Sequence, residues 1–473
     1  MNSLLPPGPC NYLAFLQLTF RHYFRLRFNP IGFSKKLTRK FGDIVFFRIF
    51  HHRVVLVNHP KYIHQILVSD SANFPKMSRI RNHLRQATGD GLLVTEGKRW
   101  HQQRTATQRI FRSQRMSFFA SIADQHIGEM LERWESHSTI EIESEMTLLT
   151  QRIMGDGFFG IQLESEPEVA EAVRVLSDSF HDESRSIFNL PDWLPTLKKR
   201  QKRRATTLLR LKLRNIIDHR IASKGRRDDY LDMLLYPAIK SNSNCPHHEH
   251  ASPDEIMSQL LTMYIAGFHT TSVAMAWLLA LVAQSSEIQR KIFEQSNVEF
   301  SDSPAADSDD RENYAEMVVK ESLRLFPAAW ELFAREASEA TELGPYHIPR
   351  GSLLLILPIV MHHDERFYPN PEEFDPTRFC QKTESARPPH TWIPFGLGPH
   401  QCIGQSLALQ QMTQILASVI LRFQLTLPPD SIQKTKLVPK VSLRPAKDFK
   451  IAIKPRIPQA ADRTNTEALS SCQ

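Results

Sequence analysis

The segment best equipped for chemistry is Phe395-Gly396-Leu397-Gly398-Pro399-His400-Gln401-Cys402-Ile403-Gly404, which runs into a helix-like stretch from 405 to 423. A turn here feeds a cysteine into the start of a helix. Two glycines before the cysteine and one two residues after it let the backbone pack closely against a flat ligand. Amide N–H groups near a helix start can donate to a sulfur anion and lower the thiolate's proton affinity. A buried structural cysteine is the commoner fate of a lone Cys, but it explains neither the glycine spacing nor Phe395.

Three more segments carry polar groups in useful patterns. Trp100-His101-Gln102-Gln103-Arg104 offers an indole N–H and a guanidinium, groups that only donate hydrogen bonds and so suit carboxylates. Glu321-Ser322-Leu323-Arg324 puts a carboxylate and a guanidinium at i, i+3 on one helical face, ahead of Pro327. Ala266-Gly267-Phe268-His269-Thr270-Thr271 interrupts an apolar run with hydroxyls and an imidazole. A core threonine that stabilises its own helix is the plain alternative for Thr270. Its hydroxyl can also compete for a backbone carbonyl and loosen the helix locally.

These groups need elements to hold them. No Asp, Glu, Lys or Arg occurs from 256 to 286, a length that would permit a membrane span. Ser252-Pro253-Asp254-Glu255 instead gives a capping box with proline at the first helical position, and the polar centre would be costly in lipid. The pattern predicts one long helix crossing a protein core. Nearer the N-terminus, 35–41 reads as a short helix and 44–57 as two strands turning at His51 and His52, the start of a small sheet. From 99 to 225 the pattern is helical, broken by the proline-containing segment 189–195. Segments 241–251 and 301–311 are polar and read as exposed loops. His247, His248 and His250 fall in the first of these and are better explained by it than by a metal site.

The cysteine loop matches Phe-x-x-Gly-x-x-x-Cys-x-Gly at every fixed position and resembles the haem-binding loop of the cytochrome P450 family. The other three segments follow in that family's order, so the resemblance spans about Trp100 to Gly404. It implies a mainly α fold with small β-sheets, with haem b between a long distal helix and a proximal cysteine loop. Cys402 would be the iron ligand, bordered by Phe395 and Gly404. Trp100, Arg104, His400 and Arg335 would reach the haem propionates. Gly267 would leave room for dioxygen, and Thr270 would hold water or a proton donor. His269 departs from the acid usual there and could relay protons or shape the pocket. Glu321 and Arg324 would join Arg378 of Pro376-Thr377-Arg378-Phe379 as a structural brace.

The implied reaction is RH + O₂ + two electrons + two protons → ROH + H₂O. Segments 74–94, 180–195, 263–270 and 328–333 would line a mostly apolar pocket, so a fatty acid, terpenoid or other lipid-like substrate is expected. Direct use of peroxide, or a non-enzymatic sensor or carrier, are the other readings. No flavin, nicotinamide or iron–sulfur module follows the loop, so a ferredoxin or flavodoxin with its reductase is expected. The basic series Lys98, Arg99, Arg104, Arg109, Arg112, Arg115 would receive it on the proximal side.

The bulk properties agree with one globular unit over 1–455 and a disordered polar tail over 456–473. The chain has 473 residues, 41% of them hydrophobic, and a net charge of +8. Cysteines at 10, 245, 380, 402 and 472 are scattered and contain no CxxC pair, which argues against a disulfide framework and for a reducing compartment, the cytoplasm. No nucleic-acid partner is indicated. A second basic run, Lys198 to Arg204, reads as a solvated helix face. No signal peptide or transmembrane anchor is expected, although 12–28, interrupted by Arg21, Arg25 and Arg27, could lie on a membrane surface.

Overall fold

The computed structural model describes residues 4–9, 15–161, 167–186, 194, 196–223, 226–227, 229–236, 252–300 and 313–456. Near the N-terminus, α1 (Phe15–Phe28) is followed at once by α2 (Pro30–Phe41). Asn29 caps α2 by accepting the Gly32 N–H, and Pro30 occupies its first turn. That start signal carries the helix five residues upstream of the expected 35–41. Strands β1 (Ile44–Ile49) and β2 (His52–Val57) pair antiparallel across a turn where Phe50 adopts φ 53°.

A helical body follows: α3 (Gly97–Gln108), α4 (Met116–Trp134), α5 (Ile142–Phe159), α6 (Pro167–Arg185) and α7 (Leu197–Ser223). The long central helix is α8 (Pro253–Ala283), then α9 (Tyr314–Leu325). Strands β3 (Arg335–Glu336) and β4 (Leu353–Ile356) complete a four-stranded sheet in the order β1-β2-β4-β3, with β2 and β4 parallel. The proximal loop leads into α10 (Gln405–Arg422), and β5 (Leu437–Pro439) pairs with β6 (Leu443–Pro445) as a hairpin.

Helix α8 begins where the capping box predicts, with the Ser252 side chain accepting the Glu255 N–H. It is long and apolar enough to cross a membrane by composition, yet α5, α9 and α10 enclose most of it. Val273, Trp277 and Ala280 are fully buried with Met146 and Ile153 of α5, Val318 of α9 and Val419 of α10. Trp277 stacks on Phe326 at 4.1 Å and its indole N–H donates to Leu443 O at 2.7 Å. Truncating so large a buried ring would cost about 3–5 kcal/mol. An all-round apolar sequence is therefore satisfied by protein on most sides.

The basic run at the start of α7 serves a helix seam. Lys198 pairs with Asp182, while Lys199 and Lys202 both pair with Glu183, all on α6. Arg200, Arg203 and Arg204 are exposed, as the solvated reading expects. The expected loops 241–251, with His247, His248 and His250, and 301–311, the expected break at 189–195 apart from Leu194, and the tail beyond Arg456 lie outside the described residues.

Candidate active site

The cysteine loop is a tight, backbone-directed turn. Gly396 (φ 77°) and Gly398 (φ 74°) lie in the left-handed region, and a Cβ on Gly398 would approach Leu67 O to 2.1 Å. No L side chain fits there without moving the chain. The turn is closed by Gly396 N–H to Ile393 O at 3.1 Å and Cys402 N–H to Phe395 O at 2.9 Å. Cys402 lies deep in the molecule yet keeps accessible side-chain surface, which places it on the wall of an internal cleft. Burial pushes its thiol up, against the Gly404 amide and the Arg104 charge, which both favour the thiolate. The Gly404 amide thus favours the thiolate, as the loop pattern expects, while burial acts against it. A metal ion at the sulfur would reverse that balance.

Behind the loop, a buried polar network fixes its approach. Arg324 and Glu321 form a bidentate pair at 2.7 and 2.8 Å, both fully buried, and Arg378 stands 3.4 Å from the same carboxylate. Arg324 also donates to His362 O, Pro371 O and Glu373 O. His362 is fully buried and its pKa is pushed well down by burial, so the ring is neutral. Its Nε2 accepts the Ile393 N–H at 3.0 Å, which leaves Nδ1 to donate to Arg324 O at 3.2 Å. The brace therefore runs from Glu321 through Arg324 and His362 to Ile393, the residue whose carbonyl closes the glycine turn.

On α8 the residues around the polar centre form one accessible face. Ala266, Gly267, Thr270 and Thr271 keep accessible surface, whereas Phe268, His269 and everything from Ser272 to Ala283 are buried. Thr270 Oγ1 donates to Ala266 O at 2.8 Å, and Thr271 Oγ1 to Gly267 O at 2.9 Å. A Cβ on Gly267 would lie 2.5 Å from Met154 Cε of α5, the far end of a flexible side chain that can move aside. His269 turns to the hairpin, with Nε2 3.1 Å from Ser442 Oγ. Burial, with Arg444 adding to it and Asp178 opposing, lowers its pKa to about 4, so the imidazole is neutral near pH 7.

A cluster of cations gathers beside the loop. The His400 and Trp100 rings are 4.1 Å apart, and the Arg104 guanidinium sits 5.6 Å over the Trp100 ring. Lys76 and Arg335 face each other across a backbone bridge that extends the β3 edge. Lys76 is buried, donating from Nζ to Leu93 O and Thr95 O, and burial lowers its pKa to about 8 against the opposing pull of Glu96. Arg335 is also buried, and its Nε has no hydrogen-bond partner among the described residues; the same holds for Arg81 Nε. Glu96 stands 3.2 Å from His400 Nε2 and 3.8 Å from Lys76 Nζ.

A family profile described as Cytochrome P450 matches residues 6–453. The chain belongs to the cytochrome P450 family. It is 28% identical over 414 residues to cyclooctat-9-en-7-ol 5-monooxygenase of Streptomyces melanosporofaciens, covering 85% of this chain and 87% of that one. Cyclooctatin synthase of the same organism is 26% identical, with 88% and 89% covered. Among solved structures, a cytochrome P450 (CYP102L1) superposes with a TM-score of 0.79 at 22% identity, covering 96% of this chain and all of that one. The retinoic acid-bound cyanobacterial CYP120A1 gives 0.78 at 23% identity, with the same coverage. The mainly α fold with small sheets is thereby established, and the protein is a cytochrome P450 monooxygenase.

Family membership implies a haem, and the residues of this P450 fit one. A deep sulfur on a cleft wall, a glycine turn beneath it and the cation cluster of Lys76, Arg81, Arg104 and Arg335 suit a flat dianionic macrocycle with a metal centre. Phe395, His400, Cys402 and Gly404 come together on the loop, with Trp100, Arg104 and Arg335 against it, while Gly267 and Thr270 share the accessible face of α8. His269 lies in the same helix but is held by the hairpin. Of the basic series, Arg99 is exposed and pairs with Asp90 at 3.2 Å, while Arg104 is partly buried over the Trp100 ring. Lys98 and Arg112 are exposed, and Arg112 adjoins Phe111, which packs 3.5 Å from the Cβ position of Gly404. Sequence reasoning missed Lys76, Arg81, Glu96, His362 and Ser442. The only local signal for any of them is the Phe74-Pro75-Lys76 segment preceding a basic helix start.

Proposed function

We propose that this monooxygenase hydroxylates an apolar, lipid-like substrate, with haem b as its cofactor and a ferredoxin or flavodoxin with its reductase as its electron source. The observation that carries the substrate class is the accessible face of α8, which interrupts a wall of apolar groups. Leu332 and Phe333 keep partial accessibility, and the Phe333 ring stands 6.5 Å from Phe180 of α6. Such a lining favours an apolar molecule with few polar handles. The names of the two Streptomyces relatives and the retinoic acid in the CYP120A1 structure support the same class. Haem b is favoured because no CxxC pair exists to attach the macrocycle covalently.

When bound, haem supplies the dioxygen chemistry. The chain supplies the rest. Cys402 offers the sulfur; Trp100, Arg104 and Arg335 offer donors for carboxylates; apolar walls exclude water. Thr270 holds its proton on Ala266 O and presents its lone pairs to the cleft, so rotation of one hydroxyl is enough to move a proton donor. Electrons reach the buried sulfur side most directly from the face carrying Lys98, Arg109 and Arg112, where an acidic partner would be attracted. Substrate-induced spectral shifts with a panel of terpenoids and fatty acids test the substrate class. Binding at micromolar concentrations by members of that panel is expected, whereas binding confined to charged, polar compounds would refute it. Turnover that needs reductant and a redox partner separates this reading from a peroxide-driven one.

The protein is assigned to the cytoplasm, with peripheral contact to an anionic lipid surface. The first 42 residues hold seven Lys or Arg and no Asp or Glu. Phe20, Phe24 and Phe28 line one exposed side of α1, and Lys36, Arg39 and Lys40 are exposed on α2. An apolar stripe beside basic groups suits a lipid headgroup layer. Flotation with phosphatidylserine-containing vesicles, but not with neutral ones, is the expected result.

A further inference from the structure

The cation cluster contains one group that a site for carboxylates has no evident reason to hold. Glu96 immediately precedes α3, the helix that carries Trp100 and Arg104, in the N-cap position. Its side chain caps no helix amide there. Instead both oxygens are committed inward. Oε1 accepts the Lys76 backbone N–H at 3.2 Å and faces Lys76 Nζ at 3.8 Å, while Oε2 meets His400 Nε2 at 3.2 Å. Burial alone would raise this carboxyl. The His400 hydrogen bond and the Lys76 charge overcome it and hold the pKa at about 2, so Glu96 is ionised at any pH at which the protein functions.

Two consequences follow from charge and hydrogen-bond capacity. His400 directs its Nε2 at Glu96, 3.2 Å away, so that donor is withheld from a propionate. A full negative charge also sits among the groups that hold the macrocycle, in a partly buried region where charges are weakly screened. An anion near a haem stabilises the ferric form, which carries one more positive charge than the ferrous form.

We propose that Glu96 is a built-in third carboxylate of the propionate cradle, whose fixed charge lowers the reduction potential of the bound haem and weakens the grip on its propionates. The inference rests on the haem assignment made above. Lys76 is its counterweight: Lys76 binds the carboxylate through both its backbone and its ammonium, and raises the potential that Glu96 lowers. Glu96 is a positioning and electrostatic residue, not a catalytic one, because it acts through the cofactor and touches no substrate.

Glu96→Gln keeps the shape and the acceptor for the Lys76 N–H, removes the charge, and presents an amide that lets His400 carry its proton on Nδ1. In the purified holoprotein, spectroelectrochemical titration is expected to show the potential moving positive, and haem transfer to apomyoglobin is expected to slow several-fold. Lys76→Met provides the opposite arm, with the potential moving negative. If Glu96→Gln leaves the potential where it was or moves it negative, or if it speeds haem transfer, the proposal is overturned and Glu96 is only a structural strut. Should Glu96→Gln not fold, the sign of the Lys76→Met shift decides, a positive or null shift overturning the proposal. Failure of the parent to bind haem would sink the haem assignment itself, a different result seen before any variant is made.

Discussion

The proximal and distal walls of the cleft are built on different terms. On the proximal side the backbone is the constraint: two left-handed glycines, a turn closed by Ile393 and Phe395, and a buried Glu321–Arg324–His362 brace fix where Cys402 sits. On the distal side a regular helix fixes the backbone, and side chains decide what the cleft presents. Thr270 and Thr271 hold their protons on their own helix, and His269 is tied to Ser442 in the turn of the hairpin. The wall that holds the reactive centre tolerates few changes, whereas the wall facing substrate can vary one side chain at a time.

The largest expected effect lies in the proximal brace. Glu321→Ala leaves Arg324 buried and unpaired, and should cost about 3–5 kcal/mol in chemical unfolding together with loss of haem. The exposed pair Arg290–Glu294 offers the contrast, since Arg290→Ala should leave the unfolding midpoint near that of the parent. Equal losses at the two places would break the comparison between buried and exposed ion pairs.

On the distal side, Thr270→Ala should leave stability and the haem spectrum near those of the parent while reducing product formed per dioxygen consumed by about tenfold or more, the scale of a lost proton donor. An unchanged ratio would remove Thr270 from the proton path. A smaller effect is expected from Ser442→Ala, which takes a hydrogen bond from the buried His269 and should cost about 1 kcal/mol.

The pH dependence of His269 follows from its lowered pKa. Between the unfolded value of 6.5 and the folded value of about 4, the unfolded chain binds more protons than the folded one. Stability is therefore lost as pH falls through that window and is fully present above it. His269→Phe should flatten part of that acid limb in unfolding curves recorded from pH 7 to pH 4; an unaltered limb would mean that the ring is charged in the fold. The smallest effect is kinetic: Arg112→Glu should slow reduction by an acidic ferredoxin severalfold at low salt, with the difference shrinking as salt is added. Salt-insensitive reduction in both proteins would move the docking site elsewhere.

Legibility in the sequence divides along the same line. The cysteine loop, the capped start of α8 and the Glu321–Arg324 pair are local patterns, in which a few adjacent residues determine backbone or face, and all could be read directly. Trp100 and Arg104 share one helix, so their joint presentation was legible as well. Contacts made across the chain were not. His269 and Ser442 are 173 residues apart, and Lys76 meets Glu96 from 20 positions away along the chain. His362 has no motif at all, and its role exists only once Arg324 and Ile393 stand on either side of it. The start of α2 is the opposite case: Asn29-Pro30 is a local cap signal, legible in the sequence, that extends the helix upstream of the expected 35–41.

The central claim is that Cys402 holds a haem iron through its thiolate. The absorption spectrum of the reduced, carbon monoxide-treated protein, recorded beside Cys402→Ala, tests it most directly. A strongly red-shifted Soret band in the parent that is lost in the variant is the expected result. A parent without haem, or one whose carbon monoxide complex resembles a histidine-ligated haem in both proteins, would contradict the claim.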